Sequence, residues 1–286
     1  RIWAHEQMQP DTILYQLPAA WRLDGALDVG ALNRALNKTV IRHEILRSRF
    51  STNDGSPVQQ FVEHQEFEIP MVDLSGTAAD KIDDELRRQV LSLRDTPLNL
   101  FDGQNFRTHL FRISSDDHLF FFMPHHLVWD GWCFDIFLRD LSALYRAVCE
   151  GIEAPLPALE FQYVDYAQWH RDWLGTAFLE RELSFWKDNL SIDTPPLALP
   201  LDKSRPALFN HAGDCVEFEL DSALCKALKT FAEKHHCTHF AVLLTAWQCF
   251  LMRITGQTDI VVGAPVQARH QPAVSDVIGC FVNTLC

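Results

Sequence analysis

A chain of 286 residues with 47% hydrophobic, 22% charged and 11% aromatic residues has the composition of a folded globular protein, which excludes intrinsic disorder, collagen and a coiled coil. Against roughly 100–200 residues per domain, the length allows two domains or one two-lobed unit. The 38 Asp and Glu outnumber the 25 Lys and Arg for a formal charge of −13, a field that repels phosphate backbones and anionic membrane surfaces, so neither nucleic acid nor membrane is expected as a partner.

Leu17 to Leu23 reads as a strand, and the three- and four-residue spacing of Ala31, Leu32, Ala35, Leu36, Thr39 and Val40 predicts a helix from Asp28, its N-cap, to Arg42. Val58 to Val62 and Phe67 to Met71 suggest two more strands, and Ala79 to Leu93 a second helix. Phe106 to Ile113 and His118 to Met123 predict two buried strands joined by a turn at Ser114 to Asp117. The second, Leu-Phe-Phe-Phe-Met, is too apolar to lie anywhere but the middle of a sheet.

From Trp132 a helical stripe through Phe134, Leu138, Leu141, Tyr145 and Val148 runs to Gly151. The linker Pro155-Leu156-Pro157 leads to an aromatic-rich helical region, Tyr163 to Leu190, and then to a Pro-rich connector, Thr194 to Pro206. A last series follows: a strand at Val216 to Leu220, a helix on Leu224, Ala227, Leu228 and Phe231, a buried helix at Phe240 to Ile254, and a strand at Asp259 to Gly263. Its strand and first helix echo Trp21 to Leu32, a weak internal repeat of two related lobes.

Eight cysteines without a C-x-x-C pair, several within apolar helical patterns, read as buried reduced thiols of a cytoplasmic protein. The apolar stretch Phe240 to Met252 is too short for a membrane span, and Arg1 to Glu6 lacks the apolar run of a signal peptide. Without an initiator Met, and ending on Leu285-Cys286, the sequence reads as a piece of a longer polypeptide.

The sharpest chemical feature is His125-His126-Leu127-Val128-Trp129-Asp130-Gly131, between the apolar strand and the following helix. A strand end leading into a tight turn is where a rigid sheet presents side chains to a ligand. Neighbouring residues on extended chain face opposite sides, so one histidine should face the core and the other a cleft. An imidazole with a pKa of about 6.5 is mostly neutral at pH 7 and can take a proton from an attacking amine or alcohol. Asp130 could orient the turn by pairing with an arginine, and Gly131 could permit close approach or an unusual backbone angle. Two other readings stand beside this one: a buried histidine that only satisfies its surroundings, and a metal site of His125, His126 and Asp130, against which the divergence of adjacent side chains argues. His235-His236-Cys237-Thr238-His239 offers zinc-type ligands, but it reads better as a helix–loop–helix junction with Thr238 capping the second helix. G-x-G-x-x-G, P-loop, G-x-S-x-G and H-E-x-x-H motifs are absent from the sequence.

The motif His125 to Gly131 resembles the H-H-x-x-x-D-G signature of the condensation domains of non-ribosomal peptide synthetases. Arg42 to Phe50 is similar to that family's R-H-E-x-L-R-x-x-F, Tyr163 to Trp169 to its Y-x-D-Y-A-x-W, and Ile278 to Thr284 to its I-G-x-F-V-N-T, all in the family's order. The resemblance implies an α/β fold of α+β sandwich type with two chloramphenicol-acetyltransferase-like lobes, the second incomplete. It places residues 1–175 in the N-terminal lobe and 176–286 in a linker and partial C-terminal lobe. It implies an amide-forming acyltransferase with His126 as catalytic residue, general base or positioning group, and His125 as mainly structural. Asp130 would form a salt bridge that shapes the turn, with Arg42 the first choice of partner and Arg269 the second, and Gly131 would complete the site. No cofactor would bind directly: both substrates would ride on phosphopantetheine arms of upstream donor and downstream acceptor carrier domains, beside an adenylation domain in the same polypeptide. Trp129 and Cys133 flank the signature where many peptide-elongating members carry smaller or hydroxyl residues, which points to a variant taking a fatty-acyl or other unusual donor. Within the same fold an ester-forming or epimerising variant, or a non-catalytic carrier-docking domain, is the alternative.

Overall fold

The computed structural model describes residues 2–9, 11–175, 177–190, 194–206, 213–269 and 271–286; Arg1 and Thr176, which fall within expected segments, lie outside them. The chain forms two compact units, Arg1–Gly175 with Pro265–Asn283, and Thr176–Ala264 with Thr284–Cys286.

In the first unit a short helix, α1 (Ile2–Met8), precedes β1 (Ala19–Asp24) and α2 (Val29–Arg42). Asp28 caps α2 by accepting from the Ala31 amide, as expected from its place before the apolar stripe. A hairpin of β2 (Ser48–Asn53) and β3 (Ser56–Phe61) follows, then β4 (Met71–Asp73), α3 (Ile82–Arg94), β5 (Phe106–Arg112) and β6 (Asp117–Pro124). Strand β2 is not among the expected strands, because its Ser-Arg-Phe-Ser-Thr-Asn sequence carries too little apolar alternation to stand out. The strand expected at Phe67 to Met71 begins only at Met71: the amides of Phe67 and Ile69 bond to the side chains of Asn37 and Asn33, so side chains of α2 take the place of a ladder.

The main sheet has the order β1-β6-β5-β4, antiparallel except for the parallel β4–β5 edge. Strand β6 is interior, and both its faces are covered. Phe120 and Phe122 join Leu32, Leu36 and Val40 of α2 with Phe137, Leu141 and Leu144 of α4 (Cys133–Glu150). Phe121 and Met123 join Leu86 of α3, Leu74 and Leu98 on the other face. Two buried faces explain the uninterrupted apolar run, and at about 2–3 kcal/mol per buried Phe they anchor the strand from which the site emerges. Helix α4 stops at Gly151, whose φ of 67° closes the helix in the left-handed region. Helix α5 (Tyr163–Leu174) begins with a capping box between Gln162 and Asp165. Its Tyr163 and Tyr166 pack with Val274, Val277 and Phe281, which is why Pro265–Asn283 folds with the first unit although the sequence suggests a break at 175.

The second unit holds α6 (Ala177–Asn189), α7 (Ser222–Lys234) and α8 (His239–Thr255). Thr238 caps α8 by accepting from the Ala241 amide, so the His-rich segment is a helix junction. Two expectations fail here. Residues 216–220 and 259–263 form no strand, having no ladder partner among the described residues, and Val216 and Phe218 are exposed. Helix α8 is not buried: Leu251 is, but Phe240, Leu243, Trp247 and Phe250 face outward. Strands β7 (Ala264–Gln267) and β8 (Val282–Leu285) pair with each other. All eight cysteines are free, but only Cys133 is buried and Cys280 is half-buried; the other six are exposed, against the expectation of buried thiols. No single helix among the described residues is long and apolar enough to cross a membrane.

Candidate active site

Strand β6 ends at Pro124; His125 still bridges Gln16, and His126 opens a turn closed by the Val128 amide donating to the His125 carbonyl over 3.0 Å. The His125 amide donates to the Asn105 carbonyl and the His126 amide to the Tyr15 carbonyl, each over 2.8 Å. The two rings part at this turn: His125 is 1% exposed, whereas His126 is half-buried. The Leu127 amide donates to His125 Nδ1 over 3.1 Å, so the ring proton sits on Nε2 and points to Glu6 Oε1 at 3.2 Å. Burial pushes the His125 pKa down to about 4 and that of Glu6 up to about 7. His125 is thus a neutral ring that locks the turn. Trp129, fully buried, drives the turn into the core against Phe122, Phe134 and Phe137, with ring centroids 5.2–5.6 Å apart.

Asp130 is fully buried and turned toward Pro265–Asn283. Its Oδ2 accepts from the Phe281 amide at 2.9 Å, and its Oδ1 lies 3.4 Å from an Arg269 terminal nitrogen. Arg269 also donates to the carbonyls of Val274 and Val277 and stacks its guanidinium 3.9 Å above the Phe281 ring. Cys133 joins the cluster: its Sγ lies 3.2 Å from Asp130 Oδ1 and 3.2 Å from the Gly279 carbonyl, and it accepts from the Gly279 amide at 3.4 Å. Burial, then the Asp130 charge, pushes this thiol up to about 12, so it stays protonated.

Arg269 is therefore the arginine at Asp130, and Arg42, the first choice, is not. Helix α2 packs on α4 and carries Arg42 to Asp140, with Nε 2.8 Å from Oδ2, where His43 Nε2 joins at 2.9 Å. Arg42 and His43 thus clamp α2 to α4, while Ile45, Leu46 and Ser48 of the same motif accept at their carbonyls from the side chain of Asn105, whose own carbonyl holds the His125 amide. Gly131 has an ordinary φ, and a Cβ there would meet no other atom of the chain within 4 Å, so no unusual backbone angle calls for glycine.

Cys280, between Gly279 and Phe281, carries no expectation from the sequence, yet it places its Sγ 3.7 Å from His126 Nδ1. Tyr163 Oη donates to the Cys280 carbonyl at 2.8 Å. Gly279 is required on steric grounds, since a Cβ would fall 2.0 Å from Tyr163 Cδ2. Cys280 stands 154 residues from His126, and its position is the variable one of its motif, so no local signal marks it. Among the described residues no group of three or more His, Cys, Asp or Glu could hold a metal ion. His125 and His126 diverge, and His125 Nδ1 is already occupied by an amide.

The mixed α/β fold of this chain is that of solved condensation domains. A structure described as the first condensation domain of the calcium-dependent antibiotic synthetase, in complex with a substrate analogue, matches with a TM-score of 0.82 over 99% of this chain and 66% of that one, at 27% identity. The chain belongs to the condensation-domain family, whose model matches residues 1–286. A linear gramicidin synthase of Brevibacillus parabrevis is 38% identical over 285 residues, and malpibaldin synthetase of Mortierella alpina 37% identical over 289. In both, the match takes in the whole of this chain but only 6% and 5% of the relative's length.

Proposed function

We propose that this chain forms the amide bond between an upstream acyl or peptidyl thioester and the α-amine of a downstream aminoacyl thioester, within a multimodular synthetase. The amine nitrogen attacks the thioester carbonyl carbon, the C–N bond forms, and the C–S bond breaks. The upstream phosphopantetheine thiolate leaves, and the proton given up by the amine balances its charge. Much of the acceleration comes from bringing two tethered reactants together, to which one imidazole adds proton management or orientation.

The observation that carries this reading is the division of labour in the histidine pair. His125 is buried and locked by Glu6 and the Leu127 amide, while His126, half-buried, is the imidazole left to meet a reactant. His126 is the catalytic residue; His125, Asp130, Arg269 and Cys133 hold the turn that presents it. Both substrates arrive on the phosphopantetheine arms of donor and acceptor carrier domains beside an adenylation domain of the same polypeptide, in the cytoplasm, and no cofactor is bound by this chain.

The test uses the native synthetase with both carriers loaded, following carrier-bound thioesters by mass spectrometry. Condensed product on the downstream carrier should form with wild type and vanish with His126→Ala. Equal product from both would overturn the assignment of His126, and no product with any donor would favour a docking role.

A further inference from the structure

His126 must be turned correctly to act, and nothing in its own turn fixes its ring: His125 is locked by a carboxylate and an amide, but the side-chain neighbour of His126 Nδ1 is Cys280 Sγ at 3.7 Å. We propose that Cys280 is a positioning residue for His126, its S–H donating to Nδ1 and leaving Nε2–H as the ring atom that meets the reactants. This rests on the role given to His126 above and deepens it: in that tautomer the imidazole orients the reactants as a hydrogen-bond donor.

Three observations support it. First, the backbone on both sides of Cys280 is pinned to the signature turn. The Gly279 amide and carbonyl both meet Cys133 Sγ, and the Phe281 amide meets Asp130. With Tyr163 Oη on its own carbonyl, Cys280 has little freedom to move from the imidazole. Second, Cys280 Sγ is the side-chain atom within reach of Nδ1, and a thiol carries one S–H to offer an imidazole nitrogen. Third, burial foremost, and then the Asp130 charge, push the Cys280 pKa up to about 11, so the sulfur keeps its proton at neutral pH. The network around Asp130 and Cys133 thus transmits its rigidity to His126 through the segment Gly279 to Phe281.

The experiment measures kcat and KM for product formation in the native synthetase with loaded carriers, for wild type, Cys280→Ala, Cys280→Ser, Cys280→Val and His126→Ala. Loss of one hydrogen bond to the ring should lower kcat about tenfold in Cys280→Ala with KM for the acceptor unchanged. Cys280→Ser, whose hydroxyl donates to Nδ1, should return kcat to within about twofold, whereas Cys280→Val, which fills the space without donating, should behave like Cys280→Ala. Rescue by valine instead of serine would assign Cys280 to packing and overturn the proposal, as would an unchanged kcat in Cys280→Ala. Either result leaves the role of His126 standing if His126→Ala is inactive. Full activity of His126→Ala would overturn both, there being no reacting imidazole to orient.

Discussion

The Phe281 amide donates to Asp130 Oδ2 over 2.9 Å, so a carboxylate in the turn that presents His126 is satisfied by main chain 151 residues further on. The bond ties Pro265–Asn283 to the end of the central strand, and it is buried. Removing it leaves an unpaired amide and, at Arg269, a nearly buried guanidinium without its carboxylate. Asp130→Ala should therefore cost about 3–5 kcal/mol. Asp130→Asn, which keeps an acceptor for Phe281 but loses the charge, should cost only about 1–3 kcal/mol. Urea denaturation followed by tryptophan fluorescence reads both: equal losses would show that the Phe281 amide bond contributes nothing beyond the charge, and an unchanged Asp130→Asn would show that the charge contributes nothing.

Two glycines in family motifs should respond oppositely to the same added methyl. At Gly279 a Cβ falls 2.0 Å from a Tyr163 ring carbon, and that ring is held by the Cys280 carbonyl at one end and by Phe281 in a T-shaped contact at 5.2 Å. It cannot step aside, so Gly279→Ala should destabilise by about 3 kcal/mol or more. At Gly131 nothing lies within 4 Å and φ is ordinary, so Gly131→Ala should leave stability within about 1 kcal/mol. Thermal melts of the two variants decide it, and a comparable loss in both would contradict the packing around Tyr163.

These positions show what the sequence makes legible and what it does not. The apolar run of β6 announces a strand buried on both faces, and the expected division of His125 and His126 between core and cleft is met, although a turn at His126 and not strand alternation parts them. Asp28 and Thr238 are capping residues recognisable from their neighbours. Pairings that depend on which helix lies beside which are not written locally. Arg42 goes to Asp140 because α2 packs on α4, and Cys280 meets His126 only because Asp130 and Cys133 gather the segment around it. The segments 216–220 and 259–263 read as strands by composition, but a strand exists only where a neighbour supplies its ladder.

The pair of Glu6 and His125 predicts a hidden pH dependence. His125 titrates near 4 in the folded chain against 6.5 unperturbed. Between those values the unfolded chain binds a proton that the folded chain does not, and acidification removes stability. Glu6 runs the other way: raised from 4.5 to about 7, it holds a proton in the folded chain that the unfolded chain has released, so acidification adds stability over that window. The two offset each other in the wild type. In Glu6→Gln the histidine acts alone, and stability should fall by up to about 3 kcal/mol between pH 6.5 and 4, relative to wild type. Urea midpoints at pH 7, 6 and 5 test it, and parallel curves for the two proteins would dismiss the compensation.

Asp140 separates the scaffold from the chemistry. Burial alone would raise its pKa, but hydrogen bonds from His43, Arg139 and Arg42 outweigh burial and hold it at about 2. Its contribution is therefore complete above pH 3.8 and lost as pH falls toward 2. Asp140→Ala leaves His43 buried without its carboxylate and strips two arginines of their shared partner, which should cost about 3–5 kcal/mol. Because this cluster lies between α2 and α4 and makes no contact with His126 among the described residues, the variant's rate per folded molecule should match wild type. Denaturation midpoints paired with kcat normalised to folded protein separate the two effects. A selective fall in kcat would mean that the α2–α4 clamp reaches the imidazole after all.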